Sequence, residues 1–160
     1  MLANEIVFLS VSELSELIRD LKISPVELTK AYIERINALD FKLNSFITVF
    51  RTTALNEARI AEEEIKNGRY LGPLHGIPVA VKDQFWTKGV RTTAGSRIQQ
   101  EFIPNDNATV INRLKQAGAI ILGKTNLTEF AITGFSHRFS TPRNPWNIDM
   151  YTGGSSGGSA

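Results

Sequence analysis

Ile77-Pro78-Val79-Ala80-Val81-Lys82 and Ala119-Ile120-Ile121-Leu122 are two brief apolar runs rich in branched residues. Between them Val110, Ile111, Leu114 and Ala117 recur at helical spacing. Short runs of this kind, the first preceded by the turn-rich Gly72-Pro73-Leu74-His75-Gly76, read as buried strands. Asp106 is placed to cap the intervening helix and Gly118 to end it. Strand, helix, strand in this order implies a right-handed parallel crossover, and with it an α/β fold.

Upstream the chain is helical. Ser24-Pro25-Val26-Glu27 puts a hydroxyl at an N-cap, proline at the first helical position and a carboxylate three residues after the cap. Leu28, Ala31, Tyr32, Ile36 and Leu39 then recur on one face, which predicts an amphipathic helix to about Asp40, and a shorter helix is expected from Val11 to Leu21. Ala54, Leu55, Ala58, Ala61 and Ile65 form a further apolar stripe that ends at Asn67-Gly68. Phe46-Ile47-Thr48-Val49 is β-prone, but strand and loop are equally open there. Residues 1–70 are thus mainly helical, and residues 71–160 hold strands, a helix and, from Phe135 to Ala160, a loop rich in glycine, serine and proline.

Bulk properties narrow the functional classes. A chain of 160 residues with 42% hydrophobic and 21% charged residues has a globular composition, so extensive disorder is not expected. Lys and Arg total 18 against 16 Asp and Glu, and the two signs are interleaved, as in Glu62-Glu63-Glu64-Ile65-Lys66, so direct nucleic-acid binding is not expected. The chain has no cysteine, which removes disulfides and thiolate chemistry and fits a cytoplasmic setting. No basic amino-terminal leader and no long apolar run is present, so no membrane association is expected. His75 and His137 lie on separate segments and make a poor metal site; neither metal nor cofactor is implied.

One motif is deceptive. Gly118-Ala119-Ile120-Ile121-Leu122-Gly123-Lys124-Thr125 satisfies the phosphate-loop formula, but its inner residues favour a strand over a loop of amides around phosphate. Two other features point to chemistry. Gly153-Gly154-Ser155-Ser156-Gly157-Gly158-Ser159 lets the backbone bring hydroxyls close to a reacting group, although alone it could be a flexible linker. Lys82 closes an apolar strand where ligands bind in sheet-based folds; it either snorkels to the surface or, if buried, gains a lowered pKa and serves as a neutral base.

Four stretches in order carry a resemblance: residues 74–83, residues 117–126, Pro142-Arg143-Asn144-Pro145-Trp146, and residues 153–160. Together they resemble the amidase signature family, and the likeness extends over the helical start. It implies an α/β/α fold in which helices precede and flank part of a mixed sheet, incomplete in this chain. The whole of residues 1–160 would then be the amino-terminal portion of one such domain. The implied activity is hydrolysis of a small-molecule amide to acid and ammonia or amine through a Ser-Ser-Lys triad. The family's lysine falls on Lys82 and its bridging serine on Ser155, with the Gly154–Ser155 peptide expected in the cis form. The resemblance gives Gly153, Gly154 and Ser156 supporting roles, Ser156 by helping to position Lys82. It also suggests that the stretch Asn126, Thr128, Phe130 and Ala131 lines the acyl pocket, although core packing of Phe130 is equally open. Asp83 either orients Lys82 or, the favoured alternative, caps a turn. The family's nucleophilic serine and oxyanion glycines are expected beyond residue 160.

The resemblance leaves the A subunit of a tRNA-dependent glutamine amidotransferase as an alternative, although Gln84-Phe85-Trp86 and residues 127–133 look more like a stand-alone amidase. A non-catalytic fragment or binding module is the third alternative. The chain alone is expected to be inactive, and to aggregate or form a homo-oligomer if part of its sheet is uncovered.

Overall fold

Side-chain caps set the helical register. The structure, a computed structural model, describes residues 3–132 and 134–160. A short helix α1 (Ala3–Ile6), too brief to leave a periodic signal, precedes α2 (Val11–Arg19). Ser10 and Glu13 form a reciprocal capping box on α2, and Leu21 beyond it takes a left-handed φ of 56°, so this helix stops short of the expected Leu21. Ser24 starts α3 (Pro25–Leu43) in the same way. Its Oγ accepts from the Val26 and Glu27 amides at 2.9 and 3.3 Å, while the Glu27 carboxylate accepts from the Ser24 amide at 3.0 Å. This helix runs three residues past Asp40. The Asp40 carboxylate, instead of marking the end, accepts from the Ser45 and Phe46 amides and fastens the exit of the helix.

Strand β1 (Phe46–Val49) follows, then α4 (Arg51–Lys66), β2 (Pro78–Lys82), α5 (Thr109–Gln116) and β3 (Ile120–Thr125). The sheet order is β1-β3-β2. β1 runs antiparallel to β3, with Thr48 opposite Lys124 and Val49 opposite Gly123. The Ile120 amide bonds to the Ile77 carbonyl and the Asp83 amide to the Thr125 carbonyl, so β2 and β3 ascend together and the sheet is mixed. All six residues of β3 are buried because it is paired on both sides. β2, paired on one side, is only half-buried, which corrects the expectation of a buried strand. The deceptive phosphate-loop formula falls on β3.

Two further differences have local causes. α5 begins at Thr109 and Asp106 is exposed, because Asn107 holds the preceding loop by accepting from the Lys88 amide and donating to Asn112. The carboxyl-terminal stretch is not all loop: β4 (Arg143–Asn144) and β5 (Asn147–Tyr151) make an antiparallel hairpin. Asn144 Oδ1 accepts from the Trp146 amide and closes its turn.

The chain forms two compact units, one comprising Met1–Asn37, Phe50–Val79 and Arg113–Leu122, the other Ala38–Val49, Ala80–Asn112 and Gly123–Ala160. The first has an apolar core. Ile18 and Leu28 are fully enclosed among Ile6, Leu14, Ala31, Ile65 and Ile77, and Ala54 and Ala58 of α4 lie flush against Ile33, Ile120 and Leu122. Each buried Ile or Leu contributes about 1.5–3 kcal/mol. His75 is 1% exposed: its Nδ1 accepts from the Leu71 amide, so Nε2 bears the proton it shares with Glu64 at 3.1 Å. The histidine is a local structural group. The second unit buries polar side chains instead, among them Asp83, Thr92, Thr93, Lys124 and Asn126.

Gly118 has φ +80°, and a Cβ there would run into the His75 ring. Gly118→Ala is therefore expected to lower unfolding free energy by about 1–3 kcal/mol through backbone strain and overpacking, read as a drop in urea midpoint at constant m-value.

Candidate active site

Lys82 stands at the carboxyl end of β2, and its Nζ donates to Ser155 Oγ at 2.6 Å across 73 residues of sequence. Both residues are half-buried. Burial lowers the Lys82 pKa below the ordinary lysine value, because an ammonium removed from water loses hydration. The Gly154–Ser155 peptide bond is cis and Gly153 has φ +82°. Gly154 lies against Thr128, where a Cβ would meet the threonine methyl, and the Ser155 carbonyl accepts from the Thr128 amide at 3.2 Å.

Asn126, 2% exposed, ties this region together. Its Nδ2 donates to the carbonyls of Asn44 and Ser140, its backbone amide donates to the Ser45 carbonyl, and its carbonyl accepts from the Gly158 amide. Thr125 Oγ1 and Ser159 Oγ are 3.0 Å apart and close the same turn onto β3. Ser156 is exposed, and among the described residues no hydrogen bond joins its hydroxyl to Lys82. A cavity of about 770 Å³ beside Gly154 is lined by Thr128, Ile132, Phe135, His137, Tyr151 and neighbouring residues. Phe130 and Ala131 are not in that lining; Phe130 is 41% exposed, and both have left-handed φ values. Residue 133, within the stretch compared with stand-alone amidases, lies outside the described residues.

A second lysine lies on the neighbouring strand. Lys124 is completely buried, and its Nζ donates to the Phe85 carbonyl at 2.6 Å, to Thr92 Oγ1 at 3.0 Å and to Thr87 Oγ1 at 3.3 Å. Those bonds use all three ammonium protons. Asp83 Oδ1, 3.3 Å away, is held by charge and accepts no further hydrogen bond, while Oδ2 accepts from the Thr93 amide and hydroxyl at 2.9 and 2.5 Å. Burial pushes the Lys124 pKa down, against the opposing pull of Asp83. The Asp83 carboxylate is thus turned to Lys124 and the Thr93 loop, and the structure pairs it with neither Lys82 nor Ser155. Lys124 gives no separate signal in the sequence because it falls inside the false phosphate-loop match.

The profile of the Amidase family matches residues 27–160. The chain belongs to the amidase family. It is 46% identical over 98% of its length to the glutamyl-tRNA(Gln) amidotransferase A subunit of Carboxydothermus hydrogenoformans, of which it covers 33%. Among solved structures it resembles the native peptide amidase of Stenotrophomonas maltophilia, with 40% identity and a TM-score of 0.88 over 95% of this chain and 33% of that one. An amidase family protein from Bacillus anthracis str. Ames gives 36% identity and a TM-score of 0.87 over 98% of this chain and 33% of that one. The chain spans about a third of the length of these relatives. Among its described residues, no helix is long and apolar enough to cross a membrane.

An unprotonated amine is the reactive form, so Lys82 of this amidase segment is expected to acquire reactivity towards acetic anhydride with a midpoint below the ordinary lysine value of 10.5. Competitive labelling across pH, read by peptide mass, measures that midpoint. A value at or above the ordinary one would show that burial does not govern this amine.

Proposed function

We propose that this chain supplies the base and the relay serine of an amide-hydrolysing enzyme, and that the nucleophilic serine comes from sequence beyond residue 160. The observation that carries the proposal is the 2.6 Å bond between Lys82 Nζ and Ser155 Oγ. While Lys82 is charged, that bond runs from nitrogen to oxygen. Once the proton is lost, the amine's lone pair accepts from the same hydroxyl. Ser155 can then take a proton from the attacking serine as it passes its own to Lys82, so the nucleophile becomes anionic only as its bond to the amide carbonyl forms. Collapse of the tetrahedral intermediate breaks the carbon–nitrogen bond, and the proton returns through Ser155 to the departing amine. Water, activated by the same pair, then hydrolyses the acyl ester. Lys82 and Ser155 are the catalytic residues, and Gly153 and Gly154 shape the turn that delivers Ser155. Phe130 and Ala131 belong to the acyl side only if the 129–131 turn rearranges around substrate. A cytoplasmic setting suits a chain without cysteine.

Because the amine must be neutral, activity should climb with pH as Lys82 deprotonates and fall away under acid conditions. In the full-length protein, assayed for ammonia release from benzamide, acetamide and an amidated dipeptide, Lys82→Ala and Ser155→Ala are expected to reduce kcat by about 10³-fold or more with little change in KM. Near-normal turnover by either variant would refute the proposal. Ser156→Ala should cost much less.

A second reading, the A subunit of a tRNA-dependent glutamine amidotransferase, is favoured by the 46% identity to the Carboxydothermus hydrogenoformans protein. It uses the same two residues on a different amide. Glutamine hydrolysis that requires partner proteins, with no turnover of simple amides by the protein alone, would select it.

A further inference from the structure

Lys82 ends β2 and Asp83 is the first residue beyond it, and their side chains enter different networks: Lys82 reaches Ser155, and Asp83 turns into the enclosed polar cluster beside Lys124. A carboxylate next to a catalytic lysine would ordinarily stabilise its ammonium and oppose its use as a base. Here that carboxylate is engaged elsewhere. Asp83 is 0% exposed, bound by Thr93 on one oxygen and set against the Lys124 ammonium on the other. Lys124 is in turn satisfied by Phe85, Thr87 and Thr92. A buried ion pair of this kind contributes little net stability compared with an apolar replacement, so its presence calls for another explanation.

We propose that Lys124 is a positioning residue: by pairing with Asp83 it withdraws the neighbouring carboxylate from Lys82 and keeps the Lys82–Ser155 pair without a counter-anion. The proposal rests on Lys82 acting as the base. Among the described residues the ion pair of Asp83 is with Lys124, while Arg91 donates to Thr48 of β1, the residue opposite Lys124 in register, at 3.5 Å. Arg91 bonds on the β1 side, so removal of Lys124 leaves Asp83 as an uncompensated anion one residue from Lys82.

The test is the acidic limb of the pH–kcat profile of the full-length protein, with benzamide as the amide. K124M is expected to move that limb to higher pH by about one unit or more, with KM little changed, because the unpaired carboxylate favours the Lys82 ammonium. D83N leaves Lys124 as the unpaired charge and is expected to move the limb the other way, to lower pH. The double variant D83N/K124M should return it towards the wild-type position, and K124R should leave it there. A purely structural pair would lower the amount of active enzyme in all variants without moving the limb, and that outcome overturns the proposal. Should K124M not accumulate as folded protein, D83N and the double variant carry the test: a limb moved to lower pH in D83N and restored in D83N/K124M supports the proposal, and a limb unmoved in D83N or equally displaced in both overturns it. K82A separates the two levels. Turnover retained in K82A sinks the base assignment itself, whereas turnover lost in K82A together with unmoved limbs sinks only the role of Lys124.

Discussion

A lysine can act as a base near neutral pH only if its surroundings make the ammonium costly, and the proposed role of Lys82 depends on that constraint. Lys82 is drawn partly out of water and given a hydroxyl, not a carboxylate, as its neighbour at 2.6 Å. A hydroxyl can hydrogen-bond to either protonation state, so it fixes the amine in space without choosing its charge. The backbone around Ser155 is held by its neighbours. Its carbonyl is tied to the Thr128 amide, and the turn beyond it is fastened to β3 through Ser159 and Asn126. The glycines on both sides leave room for this close approach.

The contrast between the two lysines shows how one strand end serves two purposes. Lys124 is more deeply buried than Lys82, yet a carboxylate and three oxygen acceptors surround it. Removing either partner of such a pair leaves a charge stranded in a low dielectric, so the two must be kept or lost together. Asp83 is the first residue past β2, so the chain leaves the strand just where the two side chains part, and Lys82 and Asp83 join different networks.

Much of the fold could be read from local rules. Helix α3 was signalled by Ser24, Pro25 and Glu27, and α4 by the alanine stripe from Ala54 to Ile65, because caps and periodicity act over a few residues. The mixed α/β class and the family followed from four ordered stretches. What escaped was nonlocal or masked. Asp40 resembled a helix end because the apolar periodicity stops at Leu39, yet the helix continues to Leu43 and the Asp40 carboxylate bonds forward to Ser45 and Phe46. The β4–β5 hairpin was hidden because Ile148 and Met150, which alternate with Asn147 and Asp149, are exposed and surrounded by turn residues. At the site, Lys82 and Ser155 were visible as an odd lysine and an odd glycine run. The Asp83–Lys124 pair was not, since nothing in a single sequence says which of two lysines a neighbouring aspartate will meet.

That ambiguity has a physical resolution. Asp83 could in principle serve either lysine, but its Oδ2 already accepts from the Thr93 amide and hydroxyl, and this fixes the carboxylate on the side away from Ser155. Thr92, one residue earlier in the same loop, accepts from Lys124. Two adjacent threonines therefore bind the two members of the buried pair, Thr93 the acid and Thr92 the base, and the loop connecting β2 to α5 acts together with Lys124 in holding the carboxylate. On the proposed reading, the chemistry of Lys82 then depends on a loop whose threonines bond to Asp83 and Lys124. A substitution at Thr92 or Thr93 would reach the amine through the orientation of Asp83, with Lys82 and Ser155 themselves unchanged.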